Sequence, residues 1–470
     1  LPTIAALDAS HMASALHRVS QQLIELVSTL GSWSGRAFNL CLVTRDAVTT
    51  TRQSGARPGR RSSILGSILW GAGRSLRHEH PAWQLSLVDI EAADATTAAR
   101  ILFEEANCDE RVAEAAWRTG TNGPERLTLR LRSFPLETHD HAPPGLGGTW
   151  VITGGLGQLG LHLAQWLTDR GVKHLLLLGR RAPQEAAASR FREWAERDVK
   201  VISAPVDITD FAALQSCLEA LPGDWPDVLS IVHAAGVLDD ALLHQQSPAR
   251  VADVLAPKVL GGWNLHKLSL AKPVEHFVLF SSATGLLGNP GQAAYGGANH
   301  FLDALADYRA SANLPALSLA WSAWESAAAD PTLSARLAQH GLAPIPMEQG
   351  LLALGHALAA APASLALLPR RQDQPLHHPL LGTDAPQRRQ DTTATPVVTA
   401  LRALDDGQRR DALLAHLLAL AAGVRGMSVD DIDAQIGFFD QGFDSMNAIE
   451  LRNQVQADFG VALPATVAFD

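Results

Sequence analysis

Cysteine is scarce in this 470-residue chain: Cys41, Cys108 and Cys217 are the only three, and no CxxC spacing relates them. A disulfide framework is therefore excluded, no metal ligand set is expected, and a reducing cytoplasm fits. Long uninterrupted apolar runs are missing too. The alanine-rich stretch Leu351–Leu368 is broken by Gly355, His356 and Pro362. It reads as helix and loop on a soluble core, with no membrane span. The N-terminus has no basic start followed by an apolar block, so no signal peptide is expected. It also lacks an initiator Met and reads as an excised piece of something longer. No Lys/Arg stripe interleaves with aromatics, which leaves nucleic acid without support as a partner.

What is present is ample core material. Hydrophobic residues make up 47% of the chain, and its length suits two or three domains. The net charge of −10 is unevenly spread: residues 426–470 hold eight acidic groups against one basic residue, Arg452. An acidic tail is ordinarily solvated surface. Here it encloses a specific motif, Gly442-Phe443-Asp444-Ser445-Met446, so the charge is expected to serve docking.

Four parts follow along the chain. Residues 1–142 mix helical stretches with short apolar runs such as Phe38–Thr44 and Trp83–Ile90, with no glycine fingerprint after a strand, and read as a structural half. Residues 143–370 alternate β and α regularly. Six apolar runs there (WVITGG, HLLLLGRR, VISAPVDI, VLSIVHAAG, HFVLFSS and PALSLAW) predict buried parallel strands with helices between. Residues 371–400, rich in Pro, Gln, Thr and Arg, predict a linker, and residues 401–470 are helical in pattern.

Thr153-Gly154-Gly155-Leu156-Gly157-Gln158-Leu159-Gly160 follows the first predicted strand of the second part and opens a helix. Glycines there allow a tight turn and bring a pyrophosphate close to unpaired helix N–H groups. The second strand ends in Gly179-Arg180-Arg181. An NAD enzyme usually places a carboxylate at that point for the ribose 2′-hydroxyl, whereas arginines suit the 2′-phosphate of NADPH. The plain alternative is two solvated arginines. Asp207, followed by Ile208, ends the third strand, where it would accept from the adenine amine. His233-Ala234-Ala235-Gly236 ends the fourth with small residues that leave room for a cofactor.

Phe280–Asn299 carries the second constellation, with Ser282 thirteen residues before Tyr295 and Asn299 four residues after it. Reducing a ketone needs a hydride, a proton donor at the oxygen and a second hydrogen bond there. Tyr295 can supply the proton, Ser282 can hydrogen-bond the same oxygen, and Asn299 is expected on the helix face of Tyr295. A phenol of pKa about 10 also needs a nearby cation. Lysine holds the Asn299 position in ordinary short-chain reductases. Here Lys258 lies on the preceding predicted helix instead.

That exchange of lysine and asparagine resembles the ketoreductase of modular type I polyketide synthases, and more distantly that of animal fatty acid synthase. Lys258, Ser282, Tyr295 and Asn299 match residue by residue, including the 37-residue gap from Lys258 to Tyr295. Ser67–Trp83 is similar to the family's structural subdomain, a degenerate Rossmann half without cofactor. That subdomain normally begins with a further βα unit, for which residues 1–30 look too short. The Gly442–Met446 motif is similar to the GxDSL signature of acyl carrier proteins, with Met446 in the leucine position. Ser445 is then the attachment point of 4′-phosphopantetheine at a helix start, against the alternative of an ordinary Ser N-cap. The carrier stops at Asp470, short of its last helices.

Leu238-Asp239-Asp240 resembles the LDD fingerprint of B-type ketoreductases, Leu287 stands where A-type enzymes have tryptophan, and Gly297 replaces the proline of the epimerising class. The alternative is that Asp239 and Asp240 cap a helix. The resemblance implies an α/β short-chain reductase Rossmann fold, a degenerate half before it and a partial helical carrier after it. It implies NADPH-dependent reduction of a carrier-bound β-ketoacyl thioester to a D-hydroxy product. Partners would be ketosynthase, acyltransferase, dehydratase or enoylreductase domains and a phosphopantetheinyl transferase. Its rivals are a fatty-acid-synthase piece and a non-reducing scaffold that only positions its carrier.

Overall fold

A computed structural model describes residues 9–31, 38–50, 64–91, 94–108, 112–120, 123–134, 146–326, 337, 341–360, 362–371, 380, 396–438, 440–443, 445–459, 461 and 463. The first part opens with α1 (Ala9–Gly31), whose Met12, Ala15, Leu16, Leu23 and Val27 recur at helical spacing and are all buried. Then come β1 (Cys41–Arg45), α2 (Ser67–Glu79), β2 (Ser86–Ile90), α3 (Ala95–Ala106), β3 (Glu114–Gly120) and β4 (Gly123–Leu127). Asp94 starts α3 by accepting the Thr97 N–H. The four strands lie in the order β1-β2-β3-β4; the first three are parallel and β4 runs antiparallel at the edge.

The second part contains β5 (Thr149–Thr153), α4 (Gln158–Asp169), β6 (His174–Gly179), α5 (Glu185–Glu196), β7 (Lys200–Pro205), α6 (Phe211–Glu219) and β8 (Leu229–His233). It continues with α7 (Pro248–Ser269), β9 (Val274–Ser282), α8 (Ala283–Leu287), α9 (Ala293–Ser311), β10 (Leu317–Trp321), α10 (Met347–Ala360) and β11 (Ser364–Leu367). All seven strands are parallel in the order β11-β10-β9-β8-β5-β6-β7. Both sheet faces are covered. Val151, Leu176, Ile231 and Leu279 face one core, while Ile152, Leu177, Val232 and Val278 face the other. The strand order reverses at β5/β8, which opens the crevice where doubly wound sheets bind ligands.

The six expected strands all form. A seventh, β11, occupies the end of the stretch expected to be helix and loop. Its outer position explains why it lacks the continuous apolar run of the buried strands.

The two parts share one core: Met12, Ile68, Leu76 and Leu87 from the first pack with Leu255, Trp263 and Phe301 from the second. Among the described residues, three α-helices follow: α11 (Pro396–Arg402), α12 (Asp406–Arg425) and α13 (Ser445–Phe459). α12, α13 and the segment between them contribute a small core of Ala421, Ala422, Val424, Ile432, Phe443 and Leu451. α11 begins inside the expected linker, whose residues 372–379 and 381–395 lie outside the described residues. Among the described residues, no helix is long and apolar enough to cross a membrane.

Candidate active site

The glycine loop between β5 and α4 is built for close approach. Gly154 has φ +69°, and a Cβ there would meet the Ala235 nitrogen at 3.0 Å. A Cβ on Gly160 would come within 2.4 Å of the Gly154 oxygen, so the helix seats directly on the loop. Gly157 is the N-cap of α4 and supplies no side-chain cap, leaving the helix N-terminus turned to the crevice. Gly155 packs on Leu177 and anchors its N–H on Leu178 O at 3.2 Å. This uncapped, side-chain-free cradle fits a dinucleotide pyrophosphate. Arg180 and Arg181 are both exposed just past the end of β6.

The neighbouring strand ends are tied together. Thr153 Oγ1 and His233 Nδ1 are 2.7 Å apart, and the Ala235 N–H reaches the same hydroxyl at 3.3 Å. Burial, then the charge of Lys258, pushes the His233 pKa down to about 3, so the ring is neutral. Ala234 lies against the glycine loop. Gly236 also makes room for Lys258: a Cβ there would meet Lys258 Cε at 3.0 Å. Asp207 is exposed, past the end of β7, and its Oδ1 accepts both the N–H and the hydroxyl of Thr209, holding a turn. Ile208 is buried; a Cβ on Gly261 would come 2.5 Å from its Cδ1.

Lys258, Ser282, Tyr295 and Asn299 converge at the C-terminal end of β9, at the mouth of this crevice. Lys258 comes from α7, is 4% exposed, and donates from Nζ to the Phe280 oxygen at 2.7 Å. Its ammonium lies 5.9 Å from the centre of the Tyr295 ring. Burial lowers its pKa to about 8, opposed by the charge of Asp303. Ser282 ends β9 and caps the short α8 by accepting the Thr284 N–H at 3.2 Å. Tyr295 and Asn299 lie one turn apart on α9, and Asn299 Nδ2 donates to the Tyr295 carbonyl at 2.7 Å. Asn299 Oδ1 is buried without a partner among the described residues. Burial raises the Tyr295 pKa; hydrogen bonds with Asn299 and Ser282 pull it back, and the charge of Asp240 adds to the rise.

The KR domain family model matches residues 148–326, and the phosphopantetheine attachment site model matches residues 415–470. The chain is 32% identical to a solved A-type ketoreductase from a modular polyketide synthase, with TM-score 0.62, over 71% of this chain and 69% of that one. The first ketoreductase of the tylosin synthase is 27% identical, with TM-score 0.61, over 77% and 82%. Among curated proteins, polyketide synthase GfsA of Streptomyces halstedii is 34% identical over 95% of this chain. The phenolphthiocerol synthesis polyketide synthase type I Pks15/1 of Mycobacterium marinum is 40% identical over 68% of it. The chain belongs to the modular polyketide synthase ketoreductases. It carries a ketoreductase with a short-chain reductase Rossmann fold, followed by a phosphopantetheine carrier segment. It spans only 6% and 16% of the lengths of those two curated relatives.

Two further groups around the ketoreductase crevice escaped the sequence reading. The first holds the Leu238–Asp240 segment. Asp239 is gripped by Arg250 of α7 through two bonds of 2.7 and 2.5 Å, which lower its pKa. Asp240 accepts from Gln292 Nε2 at 2.7 Å, and Gln292 Oε1 takes Thr284 and Asn289 at 3.0 Å each. Neither aspartate caps a helix, since Ser247 is the N-cap of α7. Leu238 projects outward, 62% exposed.

The second group comes from the structural half. A Cβ on Gly71 of α2 would stand 2.1 Å from the Gly296 oxygen, and one on Gly297 would stand 2.9 Å from Ile68 O, so α2 and α9 touch backbone to backbone. Beside this seam, Arg74 pairs with Glu114 at 2.8 Å and donates to Gly285 O at 2.6 Å. Burial would raise the Glu114 pKa, but Arg74 and Arg77 together hold it down to about 2.

In the carrier segment, Ser445 is the first residue of α13, and Asp444 lies outside the described residues. Gly442 has φ +79°, the left-handed region that favours glycine. Among the described residues, no three His, Cys, Asp or Glu side chains gather to hold a metal ion.

Proposed function

We propose that this chain reduces a β-ketoacyl thioester, tethered through 4′-phosphopantetheine on Ser445, to a D-configured 3-hydroxyacyl thioester with NADPH. The observation that carries this reading is the convergence of Lys258, Ser282, Tyr295 and Asn299 on one crevice beside an uncapped glycine cradle. Bound NADPH would supply the hydride, as an electron pair and a hydrogen delivered to the β-carbon. Thr153, Gly154, Gly155, Gly157 and Gly160 would hold its pyrophosphate, Arg180 and Arg181 its 2′-phosphate, and Asp207, Ile208 and His233–Gly236 the wall along its length.

Tyr295 gives its phenolic proton to the ketone oxygen as the carbonyl π pair moves there, and Ser282 donates a second hydrogen bond to that oxygen. The Lys258 ammonium, buried and held on Phe280 O, stabilises the phenolate left behind. Asn299 fixes the turn of α9 that carries Tyr295. Leu238, Asp239 and Asp240 steer the thioester arm, and Gly297 goes with retention at the α-carbon. Partner domains supply the β-ketoacyl chain by condensation, a phosphopantetheinyl transferase loads Ser445, and the compartment is the cytoplasm.

Incubation with a diketide thioester tests the reading through NADPH oxidation and chiral chromatography of the alcohol. Tyr295→Phe should lower turnover by about 10²–10⁴-fold while cofactor binding persists. Full activity in that variant, or an L-configured alcohol from the unmodified protein, removes the corresponding assignment.

A further inference from the structure

Glu79 ends α2 in the structural half and is 1% exposed. Its carboxylate reaches into the other half, where Oε2 accepts the Leu243 N–H and Oε1 the Gly291 N–H, both at 3.0 Å. Leu243 follows the Leu238–Asp240 segment, and Gly291 lies in the turn that leads into α9. The two loops also meet directly, through the Ala241 N–H on Gly291 O at 3.0 Å. A single carboxylate from the non-catalytic half thus fixes the backbone of two loops, one after Leu238–Asp240 and one before α9. Burial drives its pKa up to about 7, against the two N–H bonds.

The backbone of the same residue faces the carrier. Arg452 of α13 donates from Nη2 to the Glu79 carbonyl at 3.3 Å and is only 4% exposed. It is the one basic residue in the acidic stretch 426–470. His80 stacks on Trp83 with ring centres 3.8 Å apart, and His244 tilts against it. Burial, His244 and Arg452 together push the His80 pKa down to about 4, while burial lowers that of His244 and of Arg452. A buried cation is costly unless hydrogen-bonded, and the Glu79 carbonyl is one acceptor for Arg452. Ser445 precedes Arg452 by two helical turns, about 10 Å along the same side of α13.

We propose that the Glu79–Trp83 corner is the seat on which the chain's own carrier docks for reduction. Arg452 is its anchor, and the Glu79 carboxylate is a positioning group that ties the seat to the loops of Leu243 and Gly291. This rests on the ketoreductase reading above.

The test uses the full chain in two assays: single turnover of a β-ketoacyl group carried on Ser445, and steady-state reduction of the same acyl group as a free N-acetylcysteamine thioester. Arg452→Glu should slow the tethered reaction about tenfold or more and leave the free one unchanged. Glu79→Gln should slow both and erode the configuration of the alcohol, because one backbone N–H then faces an amide donor. The rate of phosphopantetheine addition reports that the carrier is folded; should Arg452→Glu lose it, Arg452→Gln keeps the stem and removes only the charge. Tethered rates unchanged in the Arg452 variants overturn the seat. Glu79→Gln with both rates and the configuration unchanged overturns the tie. No reduction of the free thioester by the unmodified protein would instead sink the ketoreductase reading. In that case faster hydrogen exchange at His80 and Trp83 in Arg452→Glu still supports the seat, and unchanged exchange refutes it.

Discussion

Gly71→Ala is the sharpest probe of how the structural half supports catalysis. The added methyl carbon would lie 2.1 Å from Gly296 O, 2.5 Å from Gly296 C and 2.8 Å from Gly297 N. All three are backbone atoms of α9, so no side-chain rotation relieves the clash. Ordinary contact needs about 3.5 Å, so the helices must part by roughly 1.4 Å. Overpacking of this kind costs about 1–3 kcal/mol, and at about 2–4 °C per kcal/mol for a unit of this size the melting temperature should fall by several degrees.

Turnover should suffer more than stability. Tyr295 and Asn299 sit on the displaced helix, flanking Gly296 and Gly297 in sequence. Misplacement by about 1 Å costs on the order of 10²-fold in rate. Thermal melting and diketide reduction, measured side by side, read the two effects. Gly147→Ala is the control, because a Cβ there meets nothing within 4 Å. If Gly71→Ala melts and turns over like the unmodified protein, the close seam between α2 and α9 is refuted.

Further outcomes follow from the same geometry. A free lysine titrates near 10.5, and Lys258 is lowered to about 8. Its charged form is therefore lost as pH rises through about 8, and kcat/KM should fall on that alkaline side; a flat profile there removes the role given to its charge. Replacing Arg180 and Arg181 with alanine should erase most of the preference for NADPH over NADH, read as the ratio of the two KM values. Preference for NADH in the unmodified protein would show that the arginines serve another purpose. Coenzyme A and a broad-specificity phosphopantetheinyl transferase should add the mass of one arm to the protein, and Ser445→Ala should abolish that gain.

The Rossmann sheet was legible because its strands are continuous apolar runs and both of their faces are buried, as with Val151 against Ile152. β11 was not, since Ser364–Leu367 follows an alanine-rich helix and lies at the sheet's edge, only partly buried. The tetrad was legible as spacing, because Tyr295 and Asn299 share a helix and Lys258 precedes them at a readable distance. The packing of Gly236 against Lys258 was not legible, for the complementary reason. Its small size matters to Lys258, on a helix that is distant in sequence, and nothing local reveals that contact.

The Leu238–Asp240 segment shows where motif and physics part. As sequence, two aspartates after a glycine suit either a helix cap or a steering loop. The structure removes the cap, because Ser247 performs it, and gives each aspartate a separate partner. Asp239 is bound to α7 through Arg250, and Asp240 to the turn before α9 through Gln292. Choosing one face of a ketone needs only about 1.4 kcal/mol for each tenfold of selectivity, but that difference survives only if the guiding loop keeps one shape. Two aspartate anchors and the Glu79 carboxylate supply that rigidity, and leave Leu238 as the exposed side chain of the segment. Stereocontrol on this reading lies less in the aspartates' charge than in the wall they hold still.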